Sequence, residues 1–290
     1  MEDFCLMTDS CCDLDAALAE ELDLCILPLS VHLGGETYRN WLDGREIGFR
    51  EFYDRIRQGA MPTSSAVSVG DFENAMREVL ESGRDILCIC FASVMSSTYQ
   101  SASIAGRHMR TEFPERTIYV LDSLCASGGQ GLLLYLCVQQ KRAGKSLEEV
   151  RDYAMEMRDQ VCSWFTVDDL HHLKRGGRIS AATALFGSML SIKPILHVDE
   201  KGYLVNMDKA RGRKAALNAL VDHMEATGVS PDRQEVFLTH GDCLEDAEYV
   251  ASEIRRRIGV ERIRISYIGP VIGSHTGAGV VALFFLGSPK

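Results

Sequence analysis

No two of the ten cysteines in this 290-residue chain stand in a C-x-x-C spacing, which excludes a zinc ribbon and a thioredoxin motif. Most of them, such as Cys88 and Cys90 in DILCICF and Cys137 in LLLYLCVQQ, sit in apolar runs where a reduced thiol packs as a small hydrophobe. Such usage suits a reducing cytosol. Cys11 and Cys12 are adjacent, a placement that strains a mutual disulfide. No run approaches the roughly 18 apolar residues of a membrane span, and MEDFCLMTDSCCDLD carries acids where a secretion signal is basic. The expectation is a cytoplasmic protein without stable membrane insertion.

Other signatures are missing too. There is no G-x-S-x-G elbow, no G-x-x-x-x-G-K-[ST] and no H-E-x-x-H, and ASGGQGLLL lacks the third glycine of a dinucleotide fingerprint. His171 and His172 are adjacent, so on a helix they point about 100° apart and cannot share one metal. Neither a metal nor a cofactor is expected. The 31 Lys+Arg against 41 Asp+Glu give a net charge of −10, which opposes phosphate backbones, so nucleic-acid binding is not expected either.

What is present is an alternation of short β-rich apolar runs with helical patterns. The runs are Phe4–Thr8, Cys25–Val31, Asp85–Phe91, Thr117–Asp122, Glu235–His240, Arg262–Ile268 and Val280–Leu286. Between them, Val69–Ser82 places Val69, Phe72, Met76, Val79 and Leu80 at helical spacing, and Leu147–Arg158 does the same with Val150, Ala154, Met155 and Met157. This pattern reads as an α/β fold with a mostly parallel sheet in its N-terminal part. The length and the charged segment after KRAGK divide it into two α/β domains, residues 1–158 and 159–290.

Polar residues gather after the apolar runs: Asp9-Ser10, Ser93, Asp122-Ser123, Gly241-Asp242, and the loop IGPVIGSHTGAG with His275. In open α/β sheets the crevice beyond the carboxyl ends of the strands is where ligands bind. The plainer expectation for Ser10, Ser93, Ser96 and Ser123 is that they simply cap helices. MPTSSAVSVGDF packs four hydroxyls between a proline and a helix start, and DDLHHLKRGGRIS sets Lys174, Arg175 and Arg178 around two glycines whose backbone can approach an anion. Lys209, Arg211, Arg213 and Lys214 form a basic cluster suited to docking an acidic or phosphorylated partner.

In order along the chain, TDSCCDL, PTSSAVSVGDF, SVMSSTYQSA, VLDSLCASGGQG, DDLHHLKRGGRIS, SIKPILHVDEKG and IGPVIGSHTGAG resemble the successive motifs of the DegV family. That resemblance implies the fatty-acid-binding subunit of a bacterial fatty acid kinase. Its two α/β domains would bury a long-chain acyl group between them, and a separate kinase would phosphorylate the bound carboxylate to an acyl-phosphate. It further implies that Thr63, Ser64, Ser93, Ser97, His275, Thr276 and Arg178 contact the ligand, and that Arg211 and Arg213 dock the kinase. On this reading His275 needs no nucleophile. Burying about 14 methylenes at about 0.8 kcal/mol each offers on the order of 11 kcal/mol before binding costs, whereas head-group hydrogen bonds contribute about 1.5 to 3 kcal/mol apiece. The tail then sets affinity and the head sets orientation. The competing expectation is a hydrolase or acyltransferase in which His275 activates Ser93, oriented by Asp9 or Asp122.

Overall fold

The computed structural model describes residues 3–180 and 192–288; Ser191, which opens the SIKPILHVDEKG motif, lies outside them. A four-stranded parallel sheet has the order β2-β1-β6-β7, from β1 (Phe4–Asp9), β2 (Leu24–Leu27), β6 (Asp85–Cys90) and β7 (Ile118–Asp122). Every residue of β1 and β6 is buried, so these strands read as unbroken apolar runs covered on both faces. Alternate β1 side chains serve opposite cores. Cys5 and Met7 pack with α3 (Val69–Glu81) and α4 (Thr98–Glu112), while Phe4 and Leu6 pack with α1 (Ala16–Glu21), α5 (Gly128–Arg142) and α6 (Leu147–Met157). Met155, expected on the core face of α6, is 43% exposed; Leu147 begins that buried stripe instead.

A second, six-stranded sheet has the order β10-β9-β8-β13-β11-β12, from β8 (Val161–Thr166), β9 (Ile192–Val198), β10 (Leu204–Arg211), β11 (Val236–His240), β12 (Ile263–Tyr267) and β13 (Val281–Leu286). Only β11 and β12 run parallel; the other pairings are antiparallel. One face packs on α8 (Arg213–Thr227) and α9 (Leu244–Ile258), and the other turns toward α5. α5 is apolar around most of its circumference because it is wedged between the two sheets. Its glycines permit this: a Cβ at Gly128 would lie 2.7 Å from the Phe284 ring, and one at Gly131 would lie 2.8 Å from the Cys12 carbonyl oxygen.

The expected strand Cys25–Val31 is broken at Pro28, which removes a ladder donor. Its second half becomes β3 (Ser30–Leu33), which joins β4 (Glu36–Arg39) and β5 (Thr63–Ser65) in a small antiparallel sheet of order β4-β3-β5. Gly34 and Gly35, at φ 63° and 86°, make the β3–β4 hairpin turn. α2 (Phe49–Arg57) and α10 (Pro270–Thr276) pack beside this sheet, and α7 (His171–Arg175) lies against α10.

Candidate ligand site

A cavity of about 370 Å³ opens between the two larger sheets, in the range of small-molecule sites. Its apolar walls come from β8 and β13 (Phe165, Ala282, Phe284), from the end of β6 (Phe91) and from α10 (Val271, Ile272). Polar side chains collect at one end, where Ser64, Ser96, Arg178 and His275 meet.

Strand alternation selects Ser64. On β5 it faces inward opposite the fully buried Val31, whereas Thr63 and Ser65 flank it on the exposed face. The Ser64 hydroxyl lies 2.8 Å from His275 Nε2. Ser65 also lines the cavity, with its hydroxyl 3.1 Å from His32 Nε2. Thr63 is not part of the cavity wall.

His275 occupies its place because position 176 is glycine: a Cβ there would lie 2.2 Å from Nδ1. That nitrogen is buried without a hydrogen-bond partner. Burial, then the nearby Arg178 and Arg175 guanidiniums, depress the imidazole to about 4, so it is neutral at pH 7. Arg178 is held over the same spot by donating from Nε and Nη2 to the Met95 carbonyl, at 3.1 and 2.9 Å, and from Nη1 to the Gly176 carbonyl. The second glycine, Gly177, takes φ 71°, which turns the chain between Gly176, packed against His275, and Arg178. The two glycines therefore make room and turn; they do not present an anion-binding nest.

An outer depression of about 540 Å³ shares Met95, Ser96, Ser97 and Arg178 with the cavity and forms its mouth. Ser93 lines this depression and not the cavity; it is exposed, and its N–H donates to Asp122 Oδ1 at 3.2 Å. Ser96, three residues on, is the half-buried hydroxyl that reaches the cavity. Ser97 lies on both surfaces, and Thr276 lines the cavity while its hydroxyl donates to the Ile272 carbonyl at 3.2 Å. Of the residues singled out from the sequence, Ser64, Ser97, His275, Thr276 and Arg178 line the cavity, while Thr63 and Ser93 do not. The signal for Ser64 over Thr63 was period-two alternation; Ser96 carried none beyond its hydroxyl-rich surroundings.

The expected Ser93–His275 pair does not form, because the histidine's hydroxyl partner is Ser64. Nor does a carboxylate orient the ring. Asp9 accepts from the Cys11 and Phe91 N–H groups, and Asp122 from those of Ser93 and Leu124. A nucleophile–base pair without an orienting group falls short of a triad.

Beneath the cavity lies a buried polar knot. Asp13 accepts from the Ser127 hydroxyl at 2.6 Å and from Gly269 N–H at 2.9 Å, and Ser127 lies 2.9 Å from the Thr239 hydroxyl. Burial pushes Asp13 up to about 7 and Asp9 up to about 6. The knot joins the N-terminal sheet to the segment that carries His275. Of the basic cluster, Arg211 is exposed, whereas Arg213 is half-buried and pairs with Asp246 at 2.7 Å, with Asp168 3.7 Å away. No helix among the described residues is long and apolar enough to cross a membrane, and no cluster there could hold a metal.

The family model described as "Uncharacterised protein, DegV family" matches residues 3–288. The chain belongs to the DegV family. It is 42% identical over 290 residues to a DegV domain-containing protein of Clostridium perfringens, covering 100% of this chain and 99% of that one. Among solved structures, a fatty-acid-binding DegV family protein from Thermus thermophilus superposes with a TM-score of 0.87 at 32% identity, covering 99% and 100% of the two chains. A stearic-acid-binding protein from Eubacterium ventriosum gives 0.88 at 26% identity, covering 98% of each. The α/β architecture with its N-terminal parallel sheet is thus the DegV fold.

Proposed function

We propose that this protein binds one long-chain fatty acid in the cavity and presents its carboxylate to a separate kinase, which converts it to an acyl-phosphate. The observation that carries the reading is the make-up of the cavity: a mostly apolar wall, with Ser64, Ser96, Arg178 and His275 gathered at the end that meets the outer depression. A carboxylate is the ligand head that these groups match. Arg178 supplies charge and the Ser96 hydroxyl donates; Ser64 and His275 share one hydrogen bond at 2.8 Å, so the pair gives the carboxylate one donor, either the Ser64 hydroxyl or the buried, unpartnered His275 Nδ1, according to the tautomer. Fatty-acid binding by the Thermus thermophilus and Eubacterium ventriosum proteins supports the same class of ligand.

In this reading the protein is a cytoplasmic carrier of two α/β domains, residues 1–158 and 159–290, with the acyl chain between them. Its own side chains bind and orient; the phosphoryl chemistry belongs to the partner. Ser93, on the outer depression, and the exposed Arg211 then face the kinase instead of the lipid, while Arg213 steadies α8 through Asp246. Two measurements test the proposal. Organic extract of the purified protein should hold about one fatty acid per chain, and an empty extract after incubation with palmitate counts against the carrier role. Palmitate and ATP should give acyl-phosphate only when the cognate kinase is added; turnover by this chain alone would refute the division of labour.

A further inference from the structure

β8 runs from Val161 to Thr166 and continues into α7, which packs on the helix that carries His275; its first residues therefore line the part of the cavity farther from the polar end. Ser163 sits there, on the same strand face as Phe165 and two residues deeper, roughly 7 Å at about 3.3 Å per residue. The register agrees on the neighbouring strand, where Ala282 pairs with Phe165 and Phe284 with Ser163, and all four line the cavity. Ser163 is 1% exposed, and its hydroxyl has no hydrogen-bond partner. Gly129 leaves the space beside it: a Cβ there would lie 3.0 Å from Ser163 Oγ and 3.1 Å from the Phe284 ring. Ser127, the other deep hydroxyl, is already engaged by Asp13 and Thr239.

A buried hydroxyl without a partner is costly, and a methylene chain cannot relieve it. A trapped water needs two to four polar partners, and among the described deep lining residues only the Ser163 hydroxyl is uncommitted. We propose that Ser163 makes the deep end of the cavity selective for an acyl chain bearing a hydroxyl group far from its carboxylate. This rests on the fatty-acid reading above and adds the substrate class: hydroxy fatty acids, held at the carboxylate by the His275 end and at the distal oxygen by Ser163.

The test is calorimetric titration of the full chain and of Ser163→Ala with hexadecanoic acid and with its mid-chain hydroxy, ω-hydroxy and α-hydroxy analogues. At least one distal hydroxy acid should bind the wild type as tightly as hexadecanoic acid or tighter, and lose about tenfold in Ser163→Ala. Hexadecanoic acid and the α-hydroxy acid should bind the variant unchanged or better, which also reports that the variant is folded. If the distal hydroxy acids are disfavoured equally by both proteins, the selectivity is overturned while the fatty-acid site stands. If hexadecanoic acid itself fails to bind the wild type, the fatty-acid reading falls and this inference with it.

Discussion

The two ends of the cavity are built from different materials. The polar end is assembled from four separate segments, with Ser64 from the short strand β5, Ser96 from the turn before α4, Arg178 from beyond α7 and His275 from α10. The apolar end is made by the interior face of one continuous sheet, where β8 and β13 lay Phe165, Ala282 and Phe284 side by side. Strand register fixes the width of the second; backbone glycines and hydrogen bonds fix the geometry of the first. The difference separates affinity, which the sheet face supplies by area, from orientation, which the loops supply by charge and hydrogen bonding.

Filling the sheet face should have the largest effect. Ala282→Phe would occlude space beside Phe165 and Phe284, displacing about four methylenes worth about 0.8 kcal/mol each, or roughly two hundredfold in affinity for palmitate. Short acids such as octanoate should lose far less, as competition against a fluorescent fatty acid will read. Equal loss for both would mean that the tail does not reach β13.

At the other end, Arg178→Gln removes the one charged donor among the described lining residues and should weaken every chain length by a common factor of about ten to a hundred, corresponding to about 1.5 to 3 kcal/mol. The increment per methylene should stay unchanged when affinity is plotted against chain length. A changed slope would place Arg178 along the tail.

Single hydroxyls matter less. Ser64→Ala and Ser96→Ala should each cost about threefold to tenfold in binding, and Ser93→Ala less than about twofold, yet Ser93→Ala should lower kinase-dependent turnover if the outer depression receives the partner. Reversed ranking of Ser93 and Ser96 in a binding assay would restore Ser93 to the carboxylate.

The smallest effect is a proton. Burial holds His275 at about 4, below the ordinary histidine value of 6.5, so its neutral form is the folded one. Its contribution to stability is present above about pH 6.5 and is lost as pH falls toward 4. A bound carboxylate favours the imidazolium and raises that value. Binding near pH 5 to 6 should therefore take up a fraction of one proton, read from calorimetry in buffers of different ionisation enthalpy, and His275→Gln should abolish the uptake. Asp13 works with the opposite sign, since its raised value near 7 makes its stabilisation complete below about pH 4 and lost as pH rises through 7. Asp13→Asn should flatten that part of the thermal-stability profile without altering proton uptake on binding.

Much of the parallel sheet was legible because fully buried strands leave unbroken apolar runs, as β1 and β6 do. The run VCSWFT was not, since Ser163 faces the cavity and Trp164 the opposite core, which interrupts the apolar signal of β8. β9 hid behind Pro194, which is tolerated because pairing with β8 involves only Leu196 and His197. At the site, the segments were readable but the side chains within them were not. Thr63 against Ser64 is decided by which face of β5 meets Val31, and Ser93 against Ser96 by how the chain turns after Cys90. Gly176 is the clearest lesson: its glycine is required by a histidine a hundred residues away in sequence, a contact that no local pattern encodes.

The central claim is that the carboxylate sits at the loop-built end. A crystal structure of the protein with a long-chain fatty acid tests it most directly. The carboxylate oxygens should lie within hydrogen-bond distance, about 2.7 to 3.2 Å, of donors among Ser64, Ser96, Arg178 and His275, with the tail running along Phe165 toward Phe284. A reversed chain with its carboxylate at Ser163, or a fatty acid bound outside the cavity, would contradict it.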